Sequence, residues 1–276
     1  MQITLSDPLA AAAVAIIDAG DVPALRHHLD QHPDLLSAVI DVGPERETGG
    51  YFAQPRLLWF VAENPIRTGR LPNNIAEVAS TIINVARSAR VPSLAEDIQT
   101  TLGLVASGRI ARESGAQPGL IAMLVDAGAN PAGAMQTALA HRETAAAEAL
   151  LEAGAAVTLS TAAALGRIAA LERALPTASP EERAEALMLA ACNGQADSVR
   201  ALGAAGTDPN RFLGPGLHAH TTPIHQAVYA GSLEIVMALV EVGADPTIRD
   251  RSFGGTALGW AEHCNQPEIA AWLRTL

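Results

Sequence analysis

The stretch Thr222-Pro223-Ile224-His225-Gln226-Ala227 decides the fold through the order of residues that follows it. A threonine hydroxyl caps the start of a helix and proline suits its first turn, so this stretch predicts a short helix. Gly231 permits the positive φ at which such a helix ends and the chain turns. The pairs Ile235-Val236 and Leu239-Val240 then form the apolar stripe of a second helix, which closes at Gly243-Ala244-Asp245. The order therefore predicts a helical hairpin.

Similar hairpins recur along the chain at a nearly constant spacing. The turn positions Gly194, Gly231 and Asn265 are 37 and 34 residues apart, both close to and slightly above a repeat period of about 33. Gly166 precedes Gly194 by only 28 residues, so the middle repeats are shortened. We predict a single domain over residues 1–276 with about seven units, at approximately 7–43, 53–95, 98–131, 132–157, 158–180, 184–210 and 219–250, and a capping unit at 253–276.

The N-terminal units match this pattern less closely. Residues Leu9–Ala19 and Val22–His32 predict an opening helical pair. Leu57–Ala62 is predicted to start the inner helix of the second unit, with Asn74–Arg87 as its outer helix. In the third unit, residues 108–119 add extra length between the two helices.

Over nearly its whole length the sequence resembles the ankyrin repeat family. It is most similar to bacterial ankyrin repeat domain-containing proteins at three stretches, Leu57–Ala62, Thr100–Ala106 and Phe253–Ala261. The histidine that the family places in its Thr-Pro-Leu-His motif is retained as His225, whereas the matching positions elsewhere hold Trp59, Gly103, Met188 and Gly259. The resemblance implies an all-α solenoid that recognises another protein through a concave groove and its loop tips. It implies no reaction and no cofactor.

Composition narrows the choice of partner and location. The formal net charge is −11, and without a basic stripe the chain is not expected to bind nucleic acid. Cys192 and Cys264 lie far apart and form no CxxC motif, so two thiols in a reducing cytoplasm are expected. We identify no secretory signal and no apolar run long enough for a membrane span, so no membrane partner is expected.

The candidate partner-binding residues follow from the family's groove positions. Large aromatic side chains dominate recognition surfaces, so Phe60, Tyr229 and Trp260 are the expected anchors. Loops 43–55 and 212–221 are expected to hold the partner as well. The alternative interpretation is that Trp59 and Trp260 fill gaps left where histidine or proline is missing. The full set comprises Phe60, Glu63, Asn64, His141, Asn193, Gln226, Tyr229, Trp260 and His263, with the loop residues His218 and His220.

Two chemical alternatives stay open at this point. His218, His220 and His225 form a His-Ala-His pattern followed by a third histidine, but zinc usually needs further cysteine or carboxylate ligands. The family resemblance instead implies that the ring of His225 is hydrogen-bonded to nearby backbone. No metal is expected.

A catalytic role has little support in the sequence. No nucleophile elbow, phosphate-binding loop or zinc-protease motif is present. Glu63, Arg67 and His141 are a conceivable acid–base set in the groove. A small-molecule-binding or catalytic pocket in the N-terminal half is a further alternative. The expected function is a non-enzymatic interaction scaffold, and the alternative is an inhibitor or immunity-type protein that neutralises a basic partner through its acidic balance.

Overall fold

The computed structural model describes residues 2–42 and 55–276, which are mostly helical and arranged in paired helices. The chain divides into two compact units. The first unit comprises Met1–Ala138 and Ala145–Ala155, and the second comprises Leu139–Thr144 and Ala156–Leu276. No helix in the described ranges is both long and apolar enough to cross a membrane.

The first unit opens with the predicted helical pair. The side chain of Asp7 accepts hydrogen bonds from two backbone N–H groups of the first turn and so caps helix α1, Pro8–Ala19. Gly20 ends this helix with a φ of 70°, and α2 follows as Val22–Gln31. The later helices are α3 Ile75–Ser88, α4 Leu94–Ser107, α5 Arg109–Glu113, α6 Gln117–Asp126, α7 Ala132–Ala140 and α8 Thr144–Glu152.

The structure corrects two features predicted for this part and adds detail to a third. Two short strands, β1 Gln2–Thr4 and β2 Val39–Asp41, pair in parallel, so the all-α expectation was wrong here. Strands of three residues are too short for an alternating pattern to reveal them. Leu57–Ala62 forms a 3-10 helix instead of an α-helix. The extra length after Gly108 contains the short helix α5.

The second unit contains four helical pairs with short turns. They are α9 Leu159–Ala164 with α10 Ile168–Ala174, α11 Pro180–Cys192 with α12 Ala196–Ala204, α13 Pro223–Tyr229 with α14 Leu233–Glu241, and α15 Ala257–His263 with α16 Pro267–Leu273. The turn glycines Gly166, Gly194 and Gly231 all have positive φ, as predicted. Ser232 caps α14 by accepting a hydrogen bond from the backbone N–H of Ile235, also as predicted.

Each pair of the second unit packs against the next pair along the chain. The first helices of the pairs contact one another in the order α9, α11, α13, α15, and among the second helices α12 contacts α10 and α14, and α14 contacts α16. One apolar cluster runs through these contacts and consists largely of alanine, leucine, isoleucine and valine. The small alanine side chains let the first helices approach closely, so the core extends from pair to pair.

Gly203 provides a test of this close packing. A Cβ atom at Gly203 would clash with the Cβ of Val242, at the end of α14. Alanine normally stabilises a helix interior by about 1 kcal/mol relative to glycine, but overpacking costs about 1–3 kcal/mol. Gly203→Ala should therefore lower the free energy of unfolding, measured by urea denaturation. Gly103→Ala in α4, where no atom lies within 4 Å of the added Cβ, should raise it, and equal effects of the two changes would contradict the packing described.

Candidate functional site

Tyr229 is the most accessible aromatic residue on the first helices of the pairs in the second unit. It is the last residue of α13, and it is 56% exposed although the preceding residues of that helix are buried. Its ring meets the ring of Trp260 edge to face, with the centroids 6.4 Å apart. Trp260 lies on α15 and is half-buried, packing against the apolar cluster. We call these two rings the aromatic step: the Tyr229 ring is exposed to solvent, and the Trp260 ring is packed against the core.

Asp250 holds Trp260 in place. The indole N–H of Trp260 donates to Oδ2 of Asp250 at 2.9 Å. The same carboxylate accepts backbone N–H groups from Ser252, Phe253 and Gly255. Burial alone would raise the pKa of Asp250, but these four donors hold that pKa well below its usual value. The indole is thus fixed by an ionised, fully engaged side chain.

His225 supports the same region from inside the protein. It is completely buried, and its Nδ1 accepts from the backbone N–H of Thr222 at 3.3 Å while Nε2 lies 3.2 Å from the carbonyl oxygen of Gly255. Burial lowers its pKa, which favours the neutral ring. Its ring also meets that of Trp260 edge to face at 5.5 Å. The expected hydrogen bonding of His225 to nearby backbone is confirmed.

Loop 212–221 brings two further histidines to this face. The ring of His220 lies 6.4 Å from that of Trp260, and its carbonyl oxygen accepts the backbone N–H of Arg251. The ring of His218 is partly buried, and its Nε2 has no hydrogen-bond partner. Burial is the largest cause that lowers the pKa of His218, and electrostatic repulsion from nearby cationic groups such as Arg142 lowers it further.

Arg142 completes the surface. It occupies the turn between α7 and α8 with a φ of 62° and is exposed. Its guanidinium carbon lies 5.3 Å from the centre of the Tyr229 ring, within the range of a cation–π interaction. We call the face formed by Tyr229, Trp260, His220 and Arg142 the aromatic surface.

Other predicted residues of the second unit lie near this surface but serve internal contacts. Gln226 is buried, and its amide donates to the hydroxyl oxygen of Thr221. The amide of Asn193 donates to the backbone carbonyls of Leu139 and Leu189. Gln226 is buried and was therefore wrong as a contact residue, whereas Asn193 is half-buried and its role in binding stays a prediction. His141 and His263 are exposed, so their role in binding stays a prediction.

The aromatic anchor predicted in the first unit was also wrong. Phe60 is 0% exposed because the 3-10 helix turns it into the core beneath Arg67. Glu63 is buried as well and accepts hydrogen bonds from the backbone N–H groups of Arg67 and Thr68. Arg67 is in turn ion-paired with Asp18 at 2.6 Å. These groups stabilise the fold and are not available to a partner.

The remaining N-terminal predictions concern Asn64, loop 43–55 and the acid–base set. Asn64 is half-buried, and its Nδ2 has no hydrogen-bond partner. Most of the predicted loop 43–55, including Tyr51 and Phe52, lies outside the described residues. Glu63 and Arg67 belong to the first unit and His141 to the second. Because the two N-terminal members are engaged internally, the acid–base set has no support in the described structure.

No group of three or more histidine, cysteine, aspartate or glutamate side chains suited to a metal occurs in residues 2–42 and 55–276. Burial raises the pKa of Cys192 to about 12, so its thiol is neutral at physiological pH.

Two residues that position or flank the site were missed by sequence reasoning. Asp250 precedes Trp260 by ten positions, and only the folded loop brings its carboxylate to the indole. Arg142 is 87 positions from Tyr229, and no local pattern links them. Both contacts are non-local, so neither periodicity nor a motif points to them.

Comparison with known protein families identifies one part of the chain. The family described as "Ankyrin repeats (3 copies)" matches residues 187–275, which run from the middle of α11 through α16. The resemblance to ankyrin repeats is thereby confirmed for this part. Such repeats are typically protein-interaction modules and are generally not catalytic. No curated protein matches the sequence.

Proposed function

Because residues 187–275 are ankyrin repeats, we propose that the protein is a non-enzymatic scaffold that binds a partner protein through the aromatic surface. The observation that carries the proposal is the exposure of Tyr229 on a helix whose other residues are nearly all buried. Tyrosine and tryptophan are enriched at protein interfaces, where one part of the ring is buried and another stays accessible.

The rigidity of the surface supports this proposal. Trp260 is fixed by its hydrogen bond to Asp250 and by packing against the apolar cluster. A side chain that is already ordered loses little conformational entropy on binding, so more of the contact energy is retained as affinity. Tyr229 adds a large apolar area with few rotatable bonds, as hot-spot residues do.

We extend the proposal to the rest of the chain. The upstream helical pairs, such as α1–α2 and α9–α10, share the glycine turn with positive φ. This supports a single ankyrin solenoid of about seven units over the whole sequence. We also propose a cytoplasmic location, supported by the two free cysteines.

The alternative of an inhibitor that neutralises a basic partner rests on the net charge of −11. The charges next to Tyr229 argue against this alternative at the aromatic surface, since Arg142 and His220 are the flanking groups. A basic partner would have to bind elsewhere on the protein.

Replacing Tyr229 tests the proposed function. Using the full chain as bait in its host lysate, Tyr229→Ala should weaken capture of the specific partner at least about tenfold, because a central aromatic anchor is lost. Met237 on α14 is another exposed apolar residue, so Met237→Ala is the matched control and should bind normally. Circular dichroism should show unchanged helicity in both variants. Equal capture by wild type and Tyr229→Ala would refute the assignment of the surface.

A further inference from the structure

The aromatic surface carries positive charge in a protein that is strongly negative overall. Arg142 lies over the Tyr229 ring, and His220 lies beside Trp260. Arg142 is exposed and, as an arginine, carries a permanent positive charge. Side chains that carry or accept positive charge therefore surround the exposed aromatic step.

No carboxylate neutralises Arg142 within the described part of the chain. Other arginines do have carboxylate partners, for example Arg56, Arg67, Arg109, Arg200, Arg211 and Arg274. Asp250 lies at the N–H edge of the Trp260 indole, but its two oxygens are already used by four N–H donors. The guanidinium of Arg142 thus presents a planar set of donors to solvent, held above an aromatic ring.

A second arginine without a carboxylate partner among the described residues, Arg251, adds positive charge next to loop 212–221. The guanidinium carbon of Arg251 lies 4.2 Å from the centre of the Phe212 ring. Its backbone N–H donates to the carbonyl oxygen of His220, so this cation–π pair adjoins the aromatic surface. Among the described residues Arg251 has no ion-pair partner. The same combination of ring and free guanidinium therefore occurs twice in this region.

We infer that the aromatic surface binds an acidic segment of the partner protein. An aspartate or glutamate side chain of that segment pairs with Arg142, and a neighbouring apolar side chain packs on Tyr229. A carboxylate matches the fork of guanidinium donors, which can form two parallel hydrogen bonds with it. This inference rests on the proposed function and adds the chemical class of the partner.

The net charge of −11 does not prevent this binding. At physiological ionic strength, interactions between exposed charges are largely screened beyond about 8 Å. A carboxylate at the aromatic surface therefore responds mainly to the nearby cations and little to the acidic residues elsewhere. The local charges, and not the total, determine the partner's composition at this face.

Selection from a displayed library of random dodecapeptides on the immobilised full-length chain tests the inference. Retained peptides that compete with one another should be enriched in aspartate and glutamate beside an apolar residue. Binding of a synthetic peptide from this set should weaken as salt increases, because the ion pair is exposed. Tyr229→Ala should abolish binding, which establishes where the peptide docks.

Variants of Arg142 test how much its positive charge contributes to peptide binding, independently of where the peptide docks. Arg142→Gln should weaken an acidic peptide by about fivefold, the upper range for an exposed ion pair, and Arg142→Lys should restore part of that loss. Gln and Arg tolerate the positive φ at this turn about equally, so the fold is kept. Arg200→Gln on α12, where the arginine is paired with Glu241, is the control and should leave binding unchanged.

The outcomes distinguish the two proposals. Peptides that are neutral or basic, depend on Tyr229 and are insensitive to Arg142→Gln would overturn the acidic partner and leave the proposed function intact. Peptides whose binding does not depend on Tyr229, or a library that retains none, would overturn both. Acidic peptides whose binding is abolished by Tyr229→Ala and weakened about fivefold by Arg142→Gln would support both.

Discussion

Asp250→Ala is expected to lower the free energy of unfolding of the ankyrin-repeat part by about 3 kcal/mol. The carboxylate of Asp250 accepts hydrogen bonds from four N–H groups. Each hydrogen bond to a charged group contributes about 1.5–3 kcal/mol. The expected loss is smaller than the sum of the four hydrogen bonds, because in the variant water replaces some of these bonds to the loop. The indole N–H of Trp260 would lose its partner as well. Urea denaturation followed by circular dichroism measures the loss.

The control for this change is a carboxylate in a similar loop. Asp245 is exposed and accepts from the backbone N–H and the hydroxyl of Thr247. Asp245→Ala should change stability little, because water replaces these bonds. If Asp250→Ala were as mild as Asp245→Ala, the central role of Asp250 would be wrong.

The same carboxylate makes stability depend on pH in a defined direction. The pKa of Asp250 is held well below its usual value in the folded protein, so the folded state binds fewer protons than the unfolded state. Its contribution is complete above the unfolded pKa of about 3.9 and is lost as the pH falls toward the lower folded value. Between about pH 5 and pH 2, unfolding free energy should therefore fall more steeply for wild type than for Asp250→Asn. Parallel profiles would contradict the assignment.

His225→Ala is the second change expected to have a large effect, with a loss of about 3 kcal/mol. The ring is fully buried, so its removal leaves a cavity and deprives the Thr222 N–H and the Gly255 carbonyl of their partners. The loss is measured by denaturation with urea at pH 7. His263→Ala replaces an exposed histidine on α15 and should have little effect. If His225→Ala changed the free energy of unfolding only slightly, the buried ring would be dispensable for stability.

Much of the second unit was predictable because its signals are local. A capping residue, proline in the first turn, a glycine turn and an apolar stripe each act within a few residues, and α13 with α14 shows all of them. The 3-10 helix at Leu57–Ala62 was not predictable on this basis. Its sequence resembles the first helix of a repeat, but the surrounding structure of the first unit sets a different backbone.

Only part of the site was predicted correctly, because sequence signals are local and burial is not. Tyr229 was identified as a groove residue and is exposed, whereas Phe60 was assigned by the same register and is buried. Register states which face of a helix a residue occupies when the helix is regular. It does not state what covers that face, which depends on loops and side chains from distant positions.

The amino-acid sequence alone determined that the chain contains helical hairpins of the ankyrin type, since caps, turns and apolar stripes are read from neighbouring residues. The tertiary structure alone decided which aromatic rings reach solvent and which charges surround them. Arg142 lies over Tyr229 from 87 positions away, and Asp250 accepts the indole N–H of Trp260 from a separate loop. Burial and charge pairing are properties of the packed chain, so they exist only after folding brings those residues together.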